Sequence, residues 1–143
     1  KIYCLGLEIM GNSFTGKGNV NTKSAITGLV GNCIEIGLVK DVLIRDNKFN
    51  NINGRAVTLV NQGFKMNRIA ILNNTFDNIN VGGNPRYNKI IQLKSSGEID
   101  SISIEGNKLN NQQSMDRFID INRGDMNNAI KVRSYNVKAN TVH

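Results

Sequence analysis

One eight-residue pattern limits what this chain can fold into more than any other feature. Val42 to Phe49 reads apolar, any, apolar, any, any, Asn, any, Phe. The same order returns at Leu7 to Phe14, at Ile69 to Phe76 and, with leucine in the last place, at Ile102 to Leu109. A fifth, decayed copy is read at Ile130 to Val137, with Tyr135 in the asparagine place. The key positions then lie 35, 27, 33 and 28 residues apart. A unit this small cannot bury an apolar face alone, so neighbouring units must stack on one another.

Each copy is followed by a loop and a second alternating stretch: Cys33 to Ile36, Ala56 to Leu59, Ile90 to Leu93 and Phe118 to Ile121. Strict alternation argues half-buried strands, with Ile34/Ile36, Val57/Leu59, Ile91/Leu93 and Ile119/Ile121 pointing inward. A helix is excluded because the template keeps no face at 3.6 residues per turn and is broken by Asn and Gly. The asparagines (Asn12, Asn47, Asn74, Asn107) follow a strand. They are expected to take the left-handed backbone conformation of the bend there and to bond to one another along the stack. Phe14, Phe49, Phe76 and Leu109 form an inward column.

The chain of 143 residues suits one domain, 1–143, with one continuous core. The pattern is already under way near Lys1, so a segment of a longer solenoid is expected. There are 24 asparagines, 14 glycines, one proline and no tryptophan, a turn-rich composition built on Ile, Leu and Val. The net charge of +7 favours an acidic partner, although no block of consecutive basic residues occurs. No apolar run reaches the length of a membrane span. No nucleic-acid reading module is present, and basic residues do not interleave with aromatics. Cys4 and Cys33 lie among apolar neighbours outside any metal-ligand spacing and are read as buried, inert thiols.

The repeat resembles the right-handed parallel β-helix of the pectate-lyase-like superfamily, which includes phage tailspikes. The resemblance runs from about Leu7 to Val137. It implies an all-β solenoid of four to five coils with three short parallel sheets. It implies little about activity, because that scaffold serves lyases, hydrolases, adhesins and virion spikes alike. Spikes of this kind are homotrimers at the virion surface that bind polysaccharide. The column Cys33, Ala56, Ile90, Phe118 is an apolar stripe that would suit a trimer contact. The Trp- and His-bearing motifs of plant-type pectate lyases have no match here.

The chemistry-bearing residues are few. His143 is the sole histidine, so Ser-His-Asp, Cys-His and histidine-zinc sites are absent from the body of the chain. No phosphate-cradling glycine motif occurs. Glu35, Thr58, Gln92 and Asp120 form an outward column on the second strands. Glu35 and Asp120 stand three coils apart, about 14 Å at the usual strand spacing. That is too far to share one glycosidic bond. The better acidic grouping joins Asp120 and Asp125 to Glu98 and Asp100 of the coil before, flanked by Arg117, Arg123 and Lys94. Such carboxylates can separate into acid and base, or hold Ca²⁺; the competing reading is surface charge of little energetic weight. No other cofactor or metal is called for. In the Gly82 to Tyr87 loop, Arg86 and Tyr87 offer a charged fork beside a stacking ring. With Glu35, Thr58, Gln92, Lys94 and Arg117 they make up the expected substrate-binding set.

Three functions are therefore expected in order. The first is a tailspike or tail-fibre-like segment that binds, and as an enzyme would depolymerise, an anionic host polysaccharide at a virion surface or outside the cell. The second is a secreted lyase or glycoside hydrolase domain. The third is a non-catalytic rod or adhesin.

Overall fold

The computed structural model describes residues 4–16, 32–37, 39–52, 54–61, 64–79, 89–95, 97–110, 119–122 and 131–142. Every element among them is a strand. The first round holds β1 (Cys4–Met10), β2 (Ser13–Thr15) and β3 (Asn32–Gly37). The second holds β4 (Val39–Arg45), β5 (Lys48–Ile52) and β6 (Arg55–Asn61). The third holds β7 (Met66–Leu72), β8 (Thr75–Ile79) and β9 (Ile91–Ser95), and the fourth β10 (Glu98–Glu105), β11 (Lys108–Asn110) and β12 (Ile119–Asn122). Above these lie β13 (Lys131–Lys138) and β14 (Thr141–Val142).

Each strand pairs with its counterparts in the rounds before and after, always in parallel. The first sheet runs β1-β4-β7-β10-β13, the second β2-β5-β8-β11-β14 and the third β3-β6-β9-β12. The chain thus visits three sheets in turn and then returns beside itself. Pairing is set by the apolar alternation, since a slip of one residue would turn every Ile and Val to solvent. Val42, Ile44, Ile69, Ile71, Ile102 and Ile104 of the first sheet are buried, as are Phe49, Phe76 and Leu109 of the second. Ile34, Ile36, Val57, Leu59, Ile91 and Leu93 bury the inner face of the third. The expected inward sets are therefore found wherever their side chains are described.

The ring column forms as expected. Phe14 stacks on Phe49 at 4.9 Å between centroids and Phe49 on Phe76 at 5.0 Å, both pairs 13° from parallel. Offset stacks of this kind add about 0.5–1.5 kcal/mol each to the burial of the rings. Leu109 continues the column beside Phe76, and Val142 lies beside Leu109 by register.

The bend between first and second sheet departs from expectation in two ways. The left-handed residue is the one before each asparagine: Gly11, Asp46, Asn73, Gly106 and Ala139 have φ of 68°, 56°, 53°, 66° and 53°. The asparagine itself is left free to bond. Its fifth member is Asn140, not Tyr135, because β13 pairs Tyr135 with Ile102 and Val137 with Ile104. The last spacing is accordingly 33 residues.

The asparagines make a continuous ladder. Asn12, Asn47, Asn74 and Asn107 each donate both backbone N–H and side-chain Nδ2–H to the Oδ1 of the next, at 2.9–3.2 Å. The Nδ2 of Asn47, Asn74, Asn107 and Asn140 also donates back to the carbonyl of Ile9, Ile44, Ile71 and Ile104, at 2.8–3.0 Å. Their backbone carbonyls accept in turn, as when Thr75 N–H donates to Asn47 O at 2.9 Å. Asn47, Asn74 and Asn107 are buried, so each unmade bond would cost about 1–3 kcal/mol. Only a side chain with paired donor and acceptor fits.

Candidate functional site

The third sheet aligns Glu35, Thr58, Gln92 and Asp120 in one row, as their shared place in the alternation requires. Their expected exposure is corrected. Thr58 and Gln92 are 2 % and 5 % exposed, so neither can meet a polysaccharide at the surface. The neighbouring column is covered too, with Ala56 and Ile90 buried and Cys33 half-buried. Residues 55–59 of β6 are buried on both faces. A period-two pattern reports which face is apolar, and it cannot report that the polar face is also covered. The stripe offered for a trimer contact is already shielded within the single chain where it is described. Phe118 lies outside the described residues.

Glu35, Lys94 and Asp120 enter as register positions. Glu35 lies beside Thr58, Asp120 beside Gln92, and Lys94 between Val60 and Asn122. Glu98 and Asp100 belong to another sheet, on β10, and are already engaged by cations. Lys65 Nζ stands 3.2 Å from Asp100 Oδ2, and Arg133 lies 3.4 Å from Asp100 Oδ1 and 3.9 Å from Glu98. The Arg133–Asp100 approach is a charge contact, since Asp100 Oδ1 has no hydrogen-bond partner. These partly exposed pairs contribute at most about 1 kcal/mol each. Asp125, Arg86, Tyr87 and Arg117 lie outside the described residues. No three His, Cys, Asp or Glu side chains group closely enough to hold a metal among the described residues.

A second carboxylate is better organised than any that the sequence singled out. On the outer face of the first sheet, Glu105 Oε1 accepts from Asn136 Nδ2 at 2.6 Å and from Ser103 Oγ, and Glu105 Oε2 faces Lys138 Nζ at 3.6 Å. Ser103 and Asn136 are register partners, as are Glu105 and Lys138. Correct placement of β13 was the signal needed to find this set, and the Tyr135 alignment hid it. Its Ser, Asn and Lys partners all stabilise the ionised form, which suits a fixed surface charge better than a proton donor.

The cysteines also differ from expectation. Both are free thiols, but Cys4 is exposed and Cys33 half-buried. Partial burial pushes the Cys33 thiol above its ordinary range. Cys4 lies on an edge strand, where its apolar neighbours have no round beyond them to pack against.

The connections show where variation is permitted. The segments 17–31, 80–88 and 111–118 all join the second sheet to the third, so topology brings them to one corner of the stack. Between β5 and β6 the same corner is crossed in two residues, Asn53 and Gly54. Charge is divided unequally between strands and connections. Residues 17–31, 80–88 and 111–118 carry Lys17, Lys23, Arg86 and Arg117 against the single carboxylate of Asp116. The first-sheet strands instead set Lys40, Arg45, Arg68, Lys131, Arg133 and Lys138 against Glu8, Asp41, Glu98, Asp100 and Glu105.

Comparison of the chain with family models, with curated protein sequences and with solved structures finds no match.

Proposed function

We propose that the three sheets wind as a right-handed parallel β-helix and that the segment binds an anionic surface polysaccharide. In this reading it belongs to a tailspike or tail-fibre-like homotrimer at a virion surface or outside the cell. The observation that carries it is the charge division. The variable connections at the second-to-third-sheet corner are basic, while the first-sheet strands are nearly balanced. Surface loops on a rigid scaffold are where recognition is commonly placed. Arg86, Tyr87 and Arg117 are the contact residues on this reading, with Arg suited to carboxylate or sulfate and Tyr to a sugar face. Binding without cleavage is favoured, because Glu98 and Asp100 are held by Lys65 and Arg133. The depolymerase reading keeps Asp120 and Asp125 as its acid–base pair.

Calorimetric titration with acidic and neutral capsule-type polysaccharides tests this. Acidic chains should bind and weaken steeply with salt, and neutral ones should not bind. Arg86→Ala, Tyr87→Ala and Arg117→Ala should each lower affinity about tenfold or more, with circular dichroism unchanged. Equal binding of neutral chains, or three silent substitutions, would remove the corner from consideration. Release of reducing or unsaturated ends that disappears in Asp120→Asn would transfer support to the enzyme reading.

A further inference from the structure

The two ends of the stack are complementary in hydrogen bonding, in shape and in charge. At one end Asn12 is an unfinished rung. Its Nδ2 turns back to Met10 O of its own strand at 3.0 Å, where the inner asparagines reach the carbonyl of the preceding round. Its Oδ1 accepts nothing among the described residues. At the other end Asn140 accepts both bonds from Asn107 and gives its Nδ2 to Ile104 O, while its backbone N–H has no described acceptor. What one terminal rung lacks, the other supplies: Asn140 N–H and Nδ2–H match Asn12 Oδ1, and Val137 O matches Asn12 Nδ2.

Strand order agrees with this match. The last strands of the three sheets are β13, β14 and β12, and the first are β1, β2 and β3. Placed end to end, all three sheets continue with none skipped. The β1 end also exposes apolar surface: Leu5 is 70 % and Met10 40 % exposed, the two large hydrophobic side chains among the described residues to be so exposed. Leu7, Ile9 and Phe14 are covered on their inner side alone. The described residues of that end, 4–16, carry one charge, Glu8. The β13–β14 end carries Lys131, Arg133 and Lys138 and no carboxylate.

We propose that this chain associates head to tail, with the β1–β2–β3 end of one copy seated on the β13–β14–β12 end of another. The contact is heterologous. It therefore grows as an open array rather than closing as a pair. Continuing the observed register puts Leu5 beside Arg133, Glu8 beside Asn136, Met10 beside Lys138 and Asn12 beside Asn140 of the next copy. This goes beyond the polysaccharide reading and does not depend on it.

Sedimentation velocity over a concentration series tests the contact. The average mass should rise continuously with concentration, whereas a lateral trimer stops at three chains. Leu5→Lys/Met10→Lys places lysines against Arg133 and Lys138, and Leu5→Glu/Met10→Glu places carboxylates there. Both pairs of sites are exposed, so the fold is retained. Like charges across a strand pair oppose pairing and opposite charges favour it. The lysine variant should therefore associate about tenfold more weakly and the glutamate variant about tenfold more tightly, from two such contacts each. Hydrogen exchange supplies the second readout, with β1 amides gaining protection only as mass grows. A chain that stays monomeric at millimolar concentration overturns the proposal. So does self-association indifferent to the sign of the introduced charge, or β1 protection already complete in the monomer, where a segment of the same chain would then cover the edge.

Discussion

The corner between the first and second sheets and the corner between the second and third are built from the same repeat, yet they tolerate change very differently. At the first, every round spends one left-handed residue and one asparagine, and the bonding is the same from Asn12 to Asn140. At the second, the crossing takes two residues after β5 and many more after β2 and β8. The first corner is buried and polar, so each donor and acceptor must meet a partner of fixed position. The second has no such requirement. Length, charge and aromatic content drift there, and the proposed contact residues Arg86, Tyr87 and Arg117 lie in its connections.

Four perturbations would break or sharpen that contrast. The largest effect should come from Asn74→Ala, which strips partners from Asn47 N–H and Nδ2, Asn107 Nδ2's neighbouring acceptor Oδ1, and Ile44 O at a fully buried site. Losing several such bonds at once should cost on the order of 4 kcal/mol by urea denaturation. A loss near that of an exposed asparagine would mean the ladder is incidental. Gly106→Ala comes next. Its φ of +66° disfavours any Cβ, and that Cβ would press on the Asn73 side chain. A destabilisation of about 2 kcal/mol is expected. Ala139→Gly should act in the opposite direction, stabilising by up to about 1 kcal/mol, since alanine holds a φ of 53° there. If glycine destabilises position 139, the strain argument for this column fails. The smallest change should follow insertion of four Gly/Ser residues within 80–88, below about 0.6 kcal/mol by the slow growth of loop-closure entropy. A large loss on insertion would show that the second corner is as constrained as the first.

The contrast also explains what could be read from the residues alone. Apolar alternation, the Asn column and the Phe column are local signals repeated at each round, and they fixed strand positions and inward faces. Two details of the first corner were misplaced for a shared reason. The pattern marks Asn but is silent about the residue before it, although Gly, Asp, Asn and Gly at positions 11, 46, 73 and 106 are the residue types that accept positive φ. In the fifth copy, Val132 lies in the row of Val39, Met66 and Ile99, three residues ahead of the template. That extra inward residue let Ile130 and Val132 pass for the start of the motif, while Lys138-Ala139-Asn140-Thr141-Val142 carried its true end. The burial of Thr58 and Gln92 could not be foreseen from alternation, because what shields an outer face is remote in sequence. The candidate site was least legible for the same reason: its residues sit in connections that follow no period.

The column of rings has one further consequence. From Phe14, Phe49 and Phe76 the series passes to Leu109 and then Val142, so the interior narrows from one end to the other. The asparagines look alike at every level and would accept a turn threaded out of order. The descending sizes would not, because a leucine at a phenylalanine level leaves a hollow and the reverse jams. Bulk inside the stack thus numbers its turns, telling each where it belongs in a way the uniform ladder alone never could.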